Sequence, residues 1–211
     1  MTAVYRGRFE RLIAELSADS RIAVERAVIQ LPATPAKLAV ATRLAGGRLP
    51  SGVEPFYREL DGFELAWRHS VDEIRKGDQT DCGYVHLLPV ERIFAEWKGV
   101  TWFDSFPGGE RFRAVKPFDL FQPETCACFL QEEGAAPGDH VALHDFGEGL
   151  AATSYTFAEY VERLLISRGF WGWIRTLSAD SDETDRESFR EKAAVLFPDF
   201  QAEAFRPKSG S

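Results

Sequence analysis

LPSGVEPFYRELDG, residues 49 to 62, runs directly into FELAW, residues 63 to 67, and the fold is read outward from this stretch. Pro50 bars a helix arriving from upstream. Ser51 precedes Glu54 by three residues, the spacing at which a cap hydroxyl and a returning carboxylate satisfy each other's free helix-end amides. Val53, Phe56, Tyr57 and Leu60 fall at i, i+3, i+4 and i+7, so one face is apolar, while Glu54, Arg58, Glu59 and Asp61 are expected in water. Gly62 can take the left-handed conformation that ends a helix. Phe63, Leu65 and Trp67 then alternate with Glu64, Ala66 and Arg68, the period of a half-buried strand. The unit is helix, tight stop, strand.

Upstream, Tyr5, Phe9, Leu12, Ile13 and Leu16 predict an amphipathic helix, and Ile22, Val24, Ala27 and Val28 a second one starting near Asp19 or Ser20. A third helix is predicted from about Thr34 to Gly46-Gly47. Downstream, residues 69 to 81 read as an exposed loop. YVHLL reads as a short strand, and Pro89 opens a helix containing Ile93, Phe94 and Trp97. After a long connection over residues 98 to 112, strand-like runs follow at 112 to 121, 125 to 131 and 140 to 145. Thr156-x-x-Glu159 is a capping box for a helix burying Phe157, Tyr160, Val161, Leu164 and Leu165, and Thr184-x-x-Glu187 predicts one more helix. The expectation is an α+β fold, a mostly antiparallel sheet covered by helices, with N-terminal helices and a C-terminal helical extension. The division expected is a helical segment over 1–33, a core over 34–176, and an extension with a tail over 177–211.

The chain has 211 residues, 45% of them hydrophobic, enough to bury a full core. No apolar run approaches the roughly 18 to 20 residues of a membrane span. MTAVYRGRFERLIAEL carries charges through its apolar positions, so no secretory signal is expected. Cys82, Cys126 and Cys128 form neither an even framework nor a C-x-x-C pair, which fits a reducing compartment and predicts a cytoplasmic protein. With 25 basic and 33 acidic residues the net charge is −8, which disfavours direct binding of nucleic acid and permits attraction to a basic protein.

Motifs for chemistry are weak. Cys126, Cys128, His140 and His144 superficially resemble a zinc set, but in an extended strand the two histidines would stand about 13 Å apart, whereas ligands converge to about 2 Å from one zinc. Cys82, His86 and Asp81 suggest a nucleophile with a base, yet they are sequence neighbours with no oxyanion hole. Asp180, Asp182, Glu183 and Asp185 lack the glycine and distal glutamate of a calcium loop. Arg168, Phe170, Trp171 and Trp173 suggest a partner anchor, although core packing is the favoured role. No catalytic residue, metal site or cofactor is assigned.

In its order of elements the chain resembles the SUKH superfamily of bacterial toxin-immunity proteins and fungal cell-wall-synthesis regulators. Leu49-Pro50 followed by Phe56-Tyr57 is similar to that family's LP-x-x-x-x-x-[FY]-[YL] helix, with Asp61-Gly62 where Asn-Gly is usual. HLLPVERI at 86–93, VKPFD near 115, TCACFL, DFGEG and SYTFAEYVERLL resemble the family's following strand and helix, closing sheet and covering helix. The resemblance spans about residues 34 to 170. It implies a noncatalytic domain that binds another protein, most often a toxin, many of which are nucleases; the leading expectation is an immunity protein that binds and occludes its cognate toxin, and the alternative a regulatory adaptor of the same fold with no toxin partner. It assigns no oligomeric state. Glu64, Trp67, Asp104, Asp145 and Glu148 are the expected partner contacts, chosen because strand ends and turns display side chains on a fixed scaffold.

Overall fold

The computed structural model describes residues 4–70, 81–105, 108–122, 124–146, 149–178 and 181–205. In chain order these form α1 (Val4–Ala18), β1 (Ile22–Ile29), α2 (Pro35–Leu44), α3 (Val53–Tyr57), β2 (Phe63–His69), β3 (Cys82–Leu87) and α4 (Val90–Ile93). They continue as a 3-10 turn (Gly109–Ala114), β4 (Val115–Gln122), β5 (Thr125–Leu130), β6 (His140–Asp145), β7 (Gly149–Thr156) and α5 (Phe157–Ser167). A 3-10 turn (Trp173–Leu177), α6 (Glu183–Leu196) and a last 3-10 turn (Ala202–Phe205) complete the described chain. The seven strands make one sheet in sequence order, each antiparallel to the next. The fold is α+β, as the alternating patterns predict.

The opening segment is a junction. Val53, Phe56, Tyr57 and Leu60 are wholly buried, as their helical spacing requires. Glu59 accepts the amides of Val4, Tyr5 and Arg6 at 3.1, 2.6 and 3.0 Å, capping α1 from a distance. Asp61 is buried instead of wet: it accepts the Val90 amide at 2.8 Å and the Lys37 ammonium at 2.7 Å, tying α2 to the start of α4. Gly62 has φ +117°, and a Cβ there would lie 2.8 Å from the Leu87 carbonyl oxygen, so only glycine lets β2 start against the end of β3.

Several local expectations are corrected. Residues 22–29 form β1 and not a second N-terminal helix, because Ile22, Val24, Val28 and Ile29 are β-branched and β2 offers them a ladder. No capping box starts α3: the cap is Gly52 at φ +84°, and the Ser51 amide donates to Asp139 at 2.8 Å. The α6 cap is Asp182, accepting from the Thr184 amide at 2.8 Å, two residues before the predicted Thr184 start. α4 spans four residues and stops before Trp97, whose indole N–H reaches back to the Ile93 carbonyl at 3.0 Å. β7 carries no clear alternation in GLAATSYT and was not expected. The Thr156–Glu159 capping box does start α5.

One sheet face is covered by helices. Phe9 of α1 meets Phe63, Phe56 of α3 meets Phe157 of α5, and Tyr160 of α5 meets Phe118, with ring centres 4.4, 5.2 and 4.9 Å apart. The C-terminal segment joins this core: Phe197 packs on Trp67 and Phe205 on Trp173. Arg168, the one described non-glycine residue at positive φ, pairs with Asp199 at 2.7 and 2.9 Å. On the opposite face, among the described residues, only β4 to β6 are covered. There the connection lays Trp102 and Phe112 over Val115, Cys126, Cys128 and Ala142 as a second, smaller core.

At the seam between β3 and β4 a carboxylate replaces a ladder carbonyl. Leu87 and Asp119 are the register pair, and the Asp119 side chain accepts the His86 amide at 2.8 Å and the Tyr160 hydroxyl at 2.7 Å. Burial pushes this carboxyl from 3.8 up to about 6, the two hydrogen bonds offsetting part of the rise. The folded chain therefore holds a proton here between about pH 4 and 6 that the unfolded chain has released. The resulting stability is fully present below about pH 4 and lost as pH rises through about 6. Asp119→Asn keeps an acceptor for His86 without a charge. Between pH 4 and 7.5 the parent should lose about 2 kcal/mol relative to this variant in urea unfolding. Parallel pH profiles for the two proteins would contradict the assignment.

Candidate partner-binding groove

Past Leu87 and Asp119 the sheet forks. β4 turns away toward Gln122, while β3 takes a different neighbour: the Tyr84 amide donates to the Gly169 carbonyl at 3.0 Å and the Trp171 amide to the Cys82 carbonyl at 2.7 Å. The turn leaving α5 thus acts as a wedge. Gly169, at φ +68°, permits it, since a Cβ there would lie 2.5 Å from Val85 Cγ2.

The fork opens on the outer face as a groove of about 840 Å³, within the usual range for ligand and side-chain sites. Ala66 and Tyr84 come from the uncovered half of the sheet, Leu120 from β4, Val100 and Phe146 from the edge of the covered half, and Trp171 from the wedge. Val100 and Trp171, both lining the groove, remain 43% and 42% exposed. The polar groups are at the rim. Arg68 of β2 donates to Glu25 of β1 at 2.6 Å, and Gln122 closes the β4 side.

Trp67 and Gly83 form the groove's floor. Trp67 is 1% exposed, and its indole N–H donates to the Arg168 carbonyl at 2.7 Å. It supports the groove from beneath and does not project toward a partner. Glu64 lies on the uncovered face outside the groove, paired with Arg26, whose hydrogen bond holds the carboxyl below its ordinary range. Asp104 is exposed on the connection and paired with Lys98. Asp145 ends β6, where it accepts the Thr125 hydroxyl at 2.8 Å and stands 3.5 Å from Arg175. Glu148 lies outside the described residues. None of Glu64, Asp104 or Asp145 lines the groove.

The chemical alternatives find little support in the geometry. Cys82 borders the groove, but burial, with Asp81 and Glu25 nearby, pushes its thiol up and away from the nucleophilic thiolate. Cys126 and His144 face each other across β5 and β6; both are buried, and the Cys126 thiol is also pushed up by burial. Both His144 ring nitrogens face carbonyls, those of Gly149 at 3.0 Å and Thr101 at 3.3 Å. Among the described residues no three His, Cys, Asp or Glu side chains are grouped to hold a metal. Of the four residues that suggest an anchor, Phe170 and Trp173 are in the core, the role favoured for them, Arg168 is buried against Asp199, and only Trp171 faces outward.

A comparison with family models finds no match, and neither does a comparison with curated proteins. No helix among the described residues is long and apolar enough to cross a membrane.

The groove depends on Gly83. A Cβ there would lie 2.1 Å from Trp67 Nε1 and 2.4 Å from Cε2, so the indole must leave its place above β3. Gly83→Ala should cost about 3 kcal/mol in urea unfolding, with a changed near-ultraviolet tryptophan signal. Parental stability in this variant would show that Trp67 does not lie across Gly83.

Proposed function

We propose that this protein is a noncatalytic immunity protein of the bacterial cytoplasm that binds a cognate toxin, a nuclease in the reading favoured here, and occludes it. The observation that carries the reading is the fork groove: an apolar recess with an exposed tryptophan on a rigid sheet, within a chain of net charge −8. Exposed aromatic anchors in recesses supply much of the affinity of protein interfaces. The acidic remainder would speed encounter with the basic surface of a nucleic-acid-cleaving toxin and exclude its substrate by occupation. The order of sequence motifs that resembles the SUKH superfamily points to the same class. A regulatory adaptor using the same groove is the second reading, favoured where no toxin gene stands beside this one.

Coexpression with the toxin encoded by the adjacent gene tests the proposal. The parent chain should restore growth. Trp171→Glu and Val100→Asp, both at exposed positions, should fold with melting temperatures near the parent's and fail to restore it. Absence of rescue and of binding by the parent would sink the immunity reading, and full rescue by both variants would move the interface elsewhere.

A further inference from the structure

Beside the groove the outer layer carries exposed cations laid on aromatic rings. The Trp102 ring carries Lys98 and Arg113 at 5.4 and 4.6 Å from its centre, and Arg111 lies 4.5 Å over Phe112. All three cations are exposed. Lys98 is paired with Asp104, whereas Arg111 and Arg113 make no ion pair among the described residues. The other carboxylates of this layer are Glu110, which is exposed, and Glu96. The latter is occupied in fastening the layer, accepting the Trp97 and Lys98 amides at 3.1 and 2.9 Å and the Trp102 indole at 3.1 Å.

This arginine ledge adjoins the groove through the connection they share. Val100 lines the groove two residues before Trp102. Beneath the surface Phe146, which lines it too, packs at 5.1 Å on buried His144, which packs at 4.5 Å on buried Phe112, the ring beneath Arg111. A guanidinium laid on an aromatic face loses little further freedom when it binds, and its planar N–H edge matches a carboxylate in a bidentate pair. Two such groups, exposed and without an ion pair among the described residues, leave their N–H edges open to carboxylates of a partner beside the apolar groove. A nucleic acid fits less well, because the net charge repels a polyanion.

We infer that the groove receives a segment of a partner protein that places an apolar or aromatic side chain between Trp171 and Val100 and sets carboxylates on Arg111 and Arg113. This deepens the reading of the groove as the toxin-binding site and rests on it. The ledge fixes the orientation of the bound segment, while the acidic remainder of the chain meets the basic part of the same partner.

Selection of random 12-residue peptides on phage, with the full chain immobilised, tests the inference without the toxin. The parent should enrich peptides in which an aromatic or large apolar residue stands beside Asp or Glu. Synthetic copies should bind Arg111→Glu/Arg113→Glu at least about tenfold more weakly than the parent, and bind the parent more weakly as salt rises. Arg111→Lys/Arg113→Lys should keep an intermediate affinity. Both positions are exposed, so melting curves should coincide. Peptides without an acidic bias, equal affinity for parent and reversed variant, no enrichment, or displacement of the peptide by oligouridylate at equal concentration would each overturn the inference. Failed growth rescue with an acidic-peptide preference intact would count against toxin neutralisation alone. Rescue without that preference would count against the ledge alone.

Discussion

A single buried carboxylate decides where this sheet stops being continuous. Asp119 takes the His86 amide that a β4 carbonyl would otherwise accept, and it is held from the other side by the Tyr160 hydroxyl of the covering helix. Beyond that point β3 pairs with the turn after α5, and β4 runs free of β3 toward Gln122. The fork, the wedge carrying Trp171 and the groove between them all follow from this substitution of a side chain for a ladder carbonyl. The carboxyl resists ionisation where it sits, so the seam is maintained at a cost near neutral pH. Trp67 shares the dependence, because its indole is fixed to Arg168 just before the wedge and lies across the missing side chain of Gly83.

Much of the scaffold was legible because it rests on local periodicity. The apolar face of residues 53 to 60, the α5 capping box and the β2 alternation each repeat within a few residues, and the structure places all three as read. β1 was misread because Ile22, Val24, Ala27 and Val28 suit a short helical stripe as well as a strand; its partner β2 lies some forty residues away and settles the choice. Asp61 was read as wet, since nothing nearby in sequence announces that Lys37 and Val90 converge on it. Glu59 is similar: its partners are the first amides of α1.

The groove was not legible for a related reason. Its walls come from β2, β3, β4, the end of β6, a long connection and the turn after α5, and no segment contributes more than a few side chains. The rule that strand ends and turns display contacts picked charged residues, and Glu64, Asp104 and Asp145 each have basic or hydroxyl partners within the chain. One signal was available. Tyr84 alternates with Gly83 and Val85, so the β3 pattern that buries Val85 turns an aromatic ring to the opposite face. The arginine ledge was hidden by net charge, which does not say which cations lack a partner within the chain or lie on an aromatic face.

The central claim, that the fork groove is where a partner binds, is tested most directly by hydrogen–deuterium exchange on the full chain with and without the partner proposed above, a toxin encoded by an adjacent gene. The account predicts slowed exchange on binding in residues 98 to 104, at 120 to 122, around Phe146 and around Trp171, with little change in α1 and α5. Protection confined to the helical face, with the groove segments exchanging as in the free protein, would contradict it.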